Sequence, residues 1–156
     1  MKFTTKTIAR SLADYLAPVL PGVTFYEDPN QQGSEPPCLF LQQRYNRIKP
    51  ETGGFWRRTI GLDLTYLLDY NRTDLQQLYQ QAVEALDQVM ETFPYQDGET
   101  QGTVLLRTYD REGNIDQDAM HYKFEIRPRV FLPTEGIKMQ TMDYSEDVTD
   151  GSKSKI

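Results

Sequence analysis

From Phe55 to Leu68 alternate positions fall into two sets of different character. Trp56, Arg58, Ile60, Leu62, Leu64, Tyr66 and Leu68 fall on one side; Phe55, Arg57, Thr59, Gly61, Asp63, Thr65 and Leu67 fall on the other. Side chains of a strand alternate faces with a period of two, so this stretch predicts a long strand with one apolar face and one mostly wettable face. Cys38 to Arg47 predicts a partner strand, and the polar loop through Pro50, Gly53 and Gly54 returns the chain between them, most simply as an antiparallel hairpin.

Helical spacing governs two other segments. Ile8, Leu12, Tyr15 and Leu16 share a face, with Thr4 or Thr5 available as the cap and Pro18 and Pro21-Gly22 as the stop. Thr73 followed by Gln76 reads as a capping box that opens a second helix. Leu75, Leu78, Tyr79, Ala82, Val83, Leu86, Val89, Met90 and Phe93 hold its apolar face, and Pro94 closes it. A short strand, Val23 to Tyr26, precedes a polar loop from Glu27 to Pro37. After the second helix come a strand from Thr103 to Tyr109, a turn around Asp110 to Asn114, and a last strand. In that strand Met120, Tyr122, Phe124 and Ile126 point inward against His121, Lys123, Glu125 and Arg127. Pro128 cannot donate to a ladder, so it marks a sheet edge or the strand's end.

The order is α-β-β-β-α-β-β. It predicts the α+β class: a mainly antiparallel sheet with both helices packed on one face. Residues 1–132 read as a single domain and 133–156 as a flexible C-terminal extension, too polar to offset its own ordering entropy. Ile137, Met139, Met142 and Tyr144 are the extension's candidates for docking on a partner; an inert disordered end is the alternative.

Composition narrows the functional classes. Hydrophobic residues make up 38% of the 156, and the net charge is −6. That balance argues against a nucleic-acid binder, which normally carries a basic footprint. The single cysteine, Cys38, excludes a disulfide framework and sits in an apolar strand as a small hydrophobe. There is no recognisable signal peptide and no apolar run near the ~20 residues needed to cross a bilayer, so a reducing cytoplasm is the expected setting.

Candidate chemistry is sparse. The one histidine, His121, has Asp110 or Asp118 as prospective carboxylate partners but no nucleophile beside it. Asp110, Glu112, Asn114, Asp116 and Asp118 alternate as calcium-loop ligands do, yet the glycine at loop position six and the glutamate at twelve are missing, and a solvated turn is the better account. No elbow serine, P-loop or dinucleotide fingerprint occurs. The expectation is a protein without catalytic, cofactor or metal sites. What stands out instead is arginine. Arg44, Arg47, Phe55, Trp56, Arg57 and Arg58 on the first hairpin, with Arg127 and Arg129 on the last strands, are the candidate interface residues. Arginine's planar fork suits interfacial carboxylates, while ordinary pairing within the sheet, to Glu125 or Asp63, is the alternative.

A short N-terminal helix, the Pro36-Pro-Cys-Leu-Phe-Leu41 strand, Arg57-Arg58 opening a strand that ends Asp63-Leu-Thr-Tyr66, the helix from Thr73 and the late Met120-His-Tyr-Lys-Phe124 strand follow one another here. In this order and spacing the chain resembles the phage tail terminator proteins of tailed phages and prophages of Gram-positive bacteria, over roughly residues 1–132. The resemblance implies a small α+β structural protein of the virion neck, assembled in the host bacterial cytoplasm. It implies a hexameric ring on the head-proximal end of the tail tube that stops tube growth and meets the head connector. Its partners would be further copies of itself, the tail tube protein and the head–tail connector, with DNA passing through unbound. By position, Arg57 and Arg58 would serve subunit or tube contacts, and the loops Glu27–Pro37 and Ile48–Gly54 axial contacts. Two other readings stay open: another neck component (a connector or tail-completion protein), and a small ligand-binding domain with its site between helices and sheet.

Overall fold

The structure, a computed structural model, describes residues 1–27 and 35–132. It divides into two units, Met1–Lys49 with Arg57–Val130, and Pro50–Trp56 with the chain from Phe131 onward. The extension from Pro133, with its four candidate docking residues, and most of the loop between Glu27 and Pro37 lie outside the described residues.

In chain order the elements are α1 (Thr5–Leu16), β1 (Thr24–Tyr26), β2 (Cys38–Pro50), a 3-10 turn (Thr52–Gly54), β3 (Trp56–Leu67), α2 (Leu75–Val89), β4 (Thr92–Tyr95), β5 (Val104–Ile115), β6 (Met120–Ile126) and β7 (Arg129–Val130). The sheet runs β1-β2-β3-β6-β5-β4, and β7 joins β3. The predicted α+β class and element order hold. β3 and β6 pair antiparallel from Ile60↔Ile126 to Tyr66↔Met120, at the centre of the sheet. Only residues 51–55 link β2 to its neighbour β3, too short for a parallel crossover, so this pair is a hairpin. β1 runs parallel to β2 from Thr24↔Cys38 to Tyr26↔Phe40, which makes the sheet mixed.

Thr4 caps α1: its hydroxyl accepts from the Thr7 backbone N–H, and the Thr7 side chain returns the bond. The buried face of α1 is Ile8, Ala9, Leu12 and Leu16. With Tyr79, Ala82 and Leu86 of α2 it covers Leu39 and Leu41 of β2, alternate residues of β3 (Ile60, Leu62, Leu64, Tyr66) and of β6 (Met120, Tyr122, Phe124, Ile126). Burying each of the larger side chains stabilises the fold by about 1.5–3 kcal/mol, and this helix-covered face is the core. Gly113 lets α2 lie close on β5, for a Cβ there would stand 2.9 Å from Val83 Cγ1.

Three expectations need correction. The second helix does not open on a Thr73–Gln76 capping box. Asp74 is the cap residue and makes no side-chain cap bond, because its carboxylate takes the Arg72 guanidinium at 3.0 and 3.1 Å instead. Phe93 and Pro94 do not belong to that helix. It ends at Val89, and both residues stand in β4, an edge strand where a missing proline N–H costs nothing. Finally, Asp110 to Asn114 is no turn. β5 continues through it with a shifted register between Tyr109 and Glu112 and with Asp110 at φ 53°, a β-bulge. The chain reverses later, where the Asp116 carboxylate accepts from the N–H groups of Asp118 and Ala119. Pro128 does stand beyond the end of β6, its carbonyl accepting from the Arg58 N–H at 2.9 Å.

In the second unit the Glu51 N–H donates to the Phe55 carbonyl at 2.8 Å, and Phe55 meets Phe131 edge-on with ring centroids 6.0 Å apart.

Candidate interaction surface

The face of the sheet opposite the helices carries a cluster centred on Glu125. β6 places Glu125 opposite Gly61 of β3. The absent side chain there leaves a slot filled by the Tyr45 ring, since a Cβ on Gly61 would come within 2.3 Å of Tyr45 Cε2. Leu39 and Leu41 of β2 face the helices whereas Tyr45 faces Glu125, so the alternation along β2 slips between them. The Tyr45 hydroxyl donates to Glu125 Oε1, and Arg127 Nε donates to Oε2 at 2.9 Å.

Arginines surround this pair. The Arg47 guanidinium stacks over the Tyr45 ring at 4.3 Å and approaches Glu125 at 4.0 Å; Arg44 lies over the same ring at 5.3 Å. Arg127 stacks over Tyr109 at 4.1 Å and reaches Asp110 at 3.3 Å. Burial by itself would raise the pKa of Glu125. The Tyr45 hydroxyl and the charges of Arg127 and Arg47 outweigh it, and the carboxyl ends below its ordinary 4.5. The result is a satisfied polar lid over the centre of the sheet, rimmed by exposed guanidinium groups.

Of the eight candidate residues, Arg44, Arg47 and Arg127 therefore converge on one cluster. Arg57 is tied to the same strand end, donating to the Arg127 carbonyl at 2.7 Å. Arg58 points its Nε into a buried position without a hydrogen-bond partner among the described residues. Trp56 is half-buried at the start of β3, Phe55 belongs to the second unit, and Arg129 stands exposed in β7. Pairing within the sheet to Glu125, the alternative read from sequence, is what Arg47 and Arg127 show; Tyr45 as the residue that joins them was missed. The adjacent Tyr45 and Arg44, with Gly61 in an otherwise uniform strand, were the available signals.

His121 pairs with neither Asp110 nor Asp118. Its Nδ1 lies 3.0 Å from Asp63 Oδ2 and its Nε2 3.4 Å from Asp116 Oδ2. The Thr65 hydroxyl, 3.3 Å from Nδ1, shares that nitrogen with Asp63 rather than taking the opposite one, so this group lacks the relay geometry of a nucleophilic triad. Cys38 is fully buried and burial raises its pKa, as a packing residue would show. Among the described residues no group of three or more His, Cys, Asp or Glu is placed to hold a metal ion, and no helix is long and apolar enough to cross a membrane. An open groove of about 530 Å³ lies beside α1, lined by Ser11, Asp14, Tyr15, Val89, Pro94 and Gln96 among others.

The domain is thus a small α+β sheet whose outer face carries a satisfied polar lid and an arginine rim. The family model for phage tail terminator protein matches residues 6–137, most of the chain, and the protein belongs to that family. The match runs a little beyond the end expected from sequence. This is a structural family of the phage tail, and the protein is a component of the tail or neck region of a virion. No curated protein matches the chain.

Proposed function

We propose that this protein caps the head-proximal end of the tail tube as a ring of six copies, ends tube polymerisation and offers its upper surface to the head–tail connector. The family match over residues 6–137 carries this reading. The mechanism is steric. A growing tube end is a template for the next ring of tube protein; a ring that matches it below and differs above leaves no template. The features of the domain suit that task. Its outer face is satisfied internally by the Glu125 cluster, and its exposed arginines can meet carboxylates on a neighbour. The net charge of −6 suits a channel along which DNA slides without sticking.

The test is negative-stain imaging of purified tail tubes with and without the protein, paired with light scattering of the protein alone. Six-fold rings, or a plug at one end of each tube with growth halted, are expected. Tubes that keep growing in excess protein, with bare ends, would overturn the reading.

A further inference from the structure

Both outer strands of the sheet's main body are left partly open, and their charges are opposite. β1 covers only Cys38–Phe40 of β2. From Leu41 to Pro50 no described strand pairs with that edge, so its N–H and C=O groups form a pairing template. From Gln42 onward this stretch is exposed except for half-buried Tyr45; it carries Arg44, Arg47 and Lys49 and contains no acid. At the other side, β4 pairs with β5 only from Val104 to Arg107. From Asp110 to Ile115 the outer edge of β5 has no strand partner among the described residues. That stretch and the turn after it carry Asp110, Glu112, Asp116 and Asp118. The one base there, Arg111, is drawn toward α2, where it donates to the Asp87 carbonyl at 3.0 Å.

We propose that the chain associates head to tail by strand addition, the open stretch of β2 in one copy pairing with the open stretch of β5 in the next. The occupant of each edge is a second copy of this chain. Charge complementarity selects it: two β2 edges repel, two β5 edges repel, and only the mixed pairing joins base to acid. Strand direction agrees. β2, β3, β6 and β5 alternate, so rotating a copy about an axis along the strands brings its β5 antiparallel to β2 of its neighbour. A contact between two different patches propagates, and it closes as a ring when the rotation divides a full turn. The proposal deepens the ring reading, from which it takes the closure and the number of copies.

Two charge-reversed variants test it, Arg44→Glu with Lys49→Glu on β2, and Glu112→Lys with Asp118→Lys beside β5. Arg47 is left in place because it approaches Glu125 itself, whereas among the described residues Arg44 meets only the Tyr45 ring. Circular dichroism and melting check that each folds, and should either fail to fold, the single changes Lys49→Glu and Glu112→Lys replace it. By light scattering the wild-type chain is expected to assemble. Each variant alone should show an apparent Kd weaker by about tenfold or more, and an equal mixture of the two should recover assembly, because the reversed edges now match each other. Folded variants that assemble like wild type, a mixture that stays dissociated, or a wild-type chain monomeric at the highest attainable concentration would each overturn the edge pairing. Wild-type assembly that ignores tube ends would instead overturn the terminator reading and leave the edge pairing standing.

Discussion

The two faces of the β3–β6 pair are both closed to water but by different physics. On the helix side Ile60, Leu62 and Leu64 meet Tyr122, Phe124 and Ile126 under α1 and α2, and burial is the stabilising term. On the other side Asp63, Thr65 and Glu125 are also buried, at 8, 4 and 7% exposure, Glu125 bonded to Tyr45 and Arg127, Asp63 and Thr65 to each other and to His121. The first face loses stability in proportion to the atoms removed. The second depends on every polar group keeping its partner, since an orphaned buried group costs its full desolvation. A dry face tolerates neighbours of about the right size; a satisfied polar lid fixes which residues stand together.

The largest expected effect lies on the dry side. Phe124→Ala should destabilise the domain by about 3–5 kcal/mol, the usual cost of a large cavity in a packed core. Urea unfolding followed by circular dichroism would read it, and a loss below 1 kcal/mol would mean that α2 collapses into the gap. Next in size is the slot that joins β3 to the lid. Gly61→Ala puts a methyl group into the Tyr45 ring and should cost about 1–3 kcal/mol through forced displacement. Adding Tyr45→Ala to that variant should return part of the loss, and strict additivity of the two changes would show that they do not touch.

The smallest effect sharpens the polar side. Glu125→Gln keeps the shape but removes the charge, and should cost about 1 kcal/mol at neutral pH because its arginine partners are solvated. The same residue contributes to acid sensitivity. Glu125, Asp97 and Asp116 all have lowered folded pKa values, held down chiefly by donated hydrogen bonds: Asp97 from the backbone of Lys2, Thr100 and Glu99, Asp116 from the backbone of Asp118 and Ala119. For Glu125, those bonds come from Tyr45 and Arg127 and work against burial. Between each lowered value and the ordinary one the unfolded chain binds more protons, so stability rises with pH across that window. The stabilisation is complete above the ordinary 4.5 and 3.8 and is lost as pH falls through the folded values. A melting-temperature series below pH 5 should fall less steeply for Glu125→Gln than for the wild type.

How much of this was written in the chain differs between the two faces. The dry face was legible, because α1, β3 and β6 each repeat their apolar residues at the period of the element that holds them. Thr4 as a cap and Pro128 as a stop were legible too, for these act within a few residues. Where a local signal had a stronger competitor, reading failed. Asp74 gave its carboxylate to Arg72 rather than to the helix, and Phe93 continued the helical period while its backbone paired with Leu106. The run from Asp110 to Asn114 has turn composition but lies in the sheet, because β6 supplies partners up to Ile115↔Met120 that outweigh local preference.

The element order, the helix-covered core and the family could be read from the chain alone, since periodicity and spacing are local and survive as text. The tertiary structure alone decided that Tyr45 fills the place of a missing side chain at Gly61, that Glu125 gathers Arg47 and Arg127, and that the basic and acidic strand edges stand at opposite sides of one sheet. Tyr45 and Glu125, joined by one hydrogen bond, stand 80 positions apart in the chain. Such arrangements follow from register and packing, which no spacing along the chain encodes.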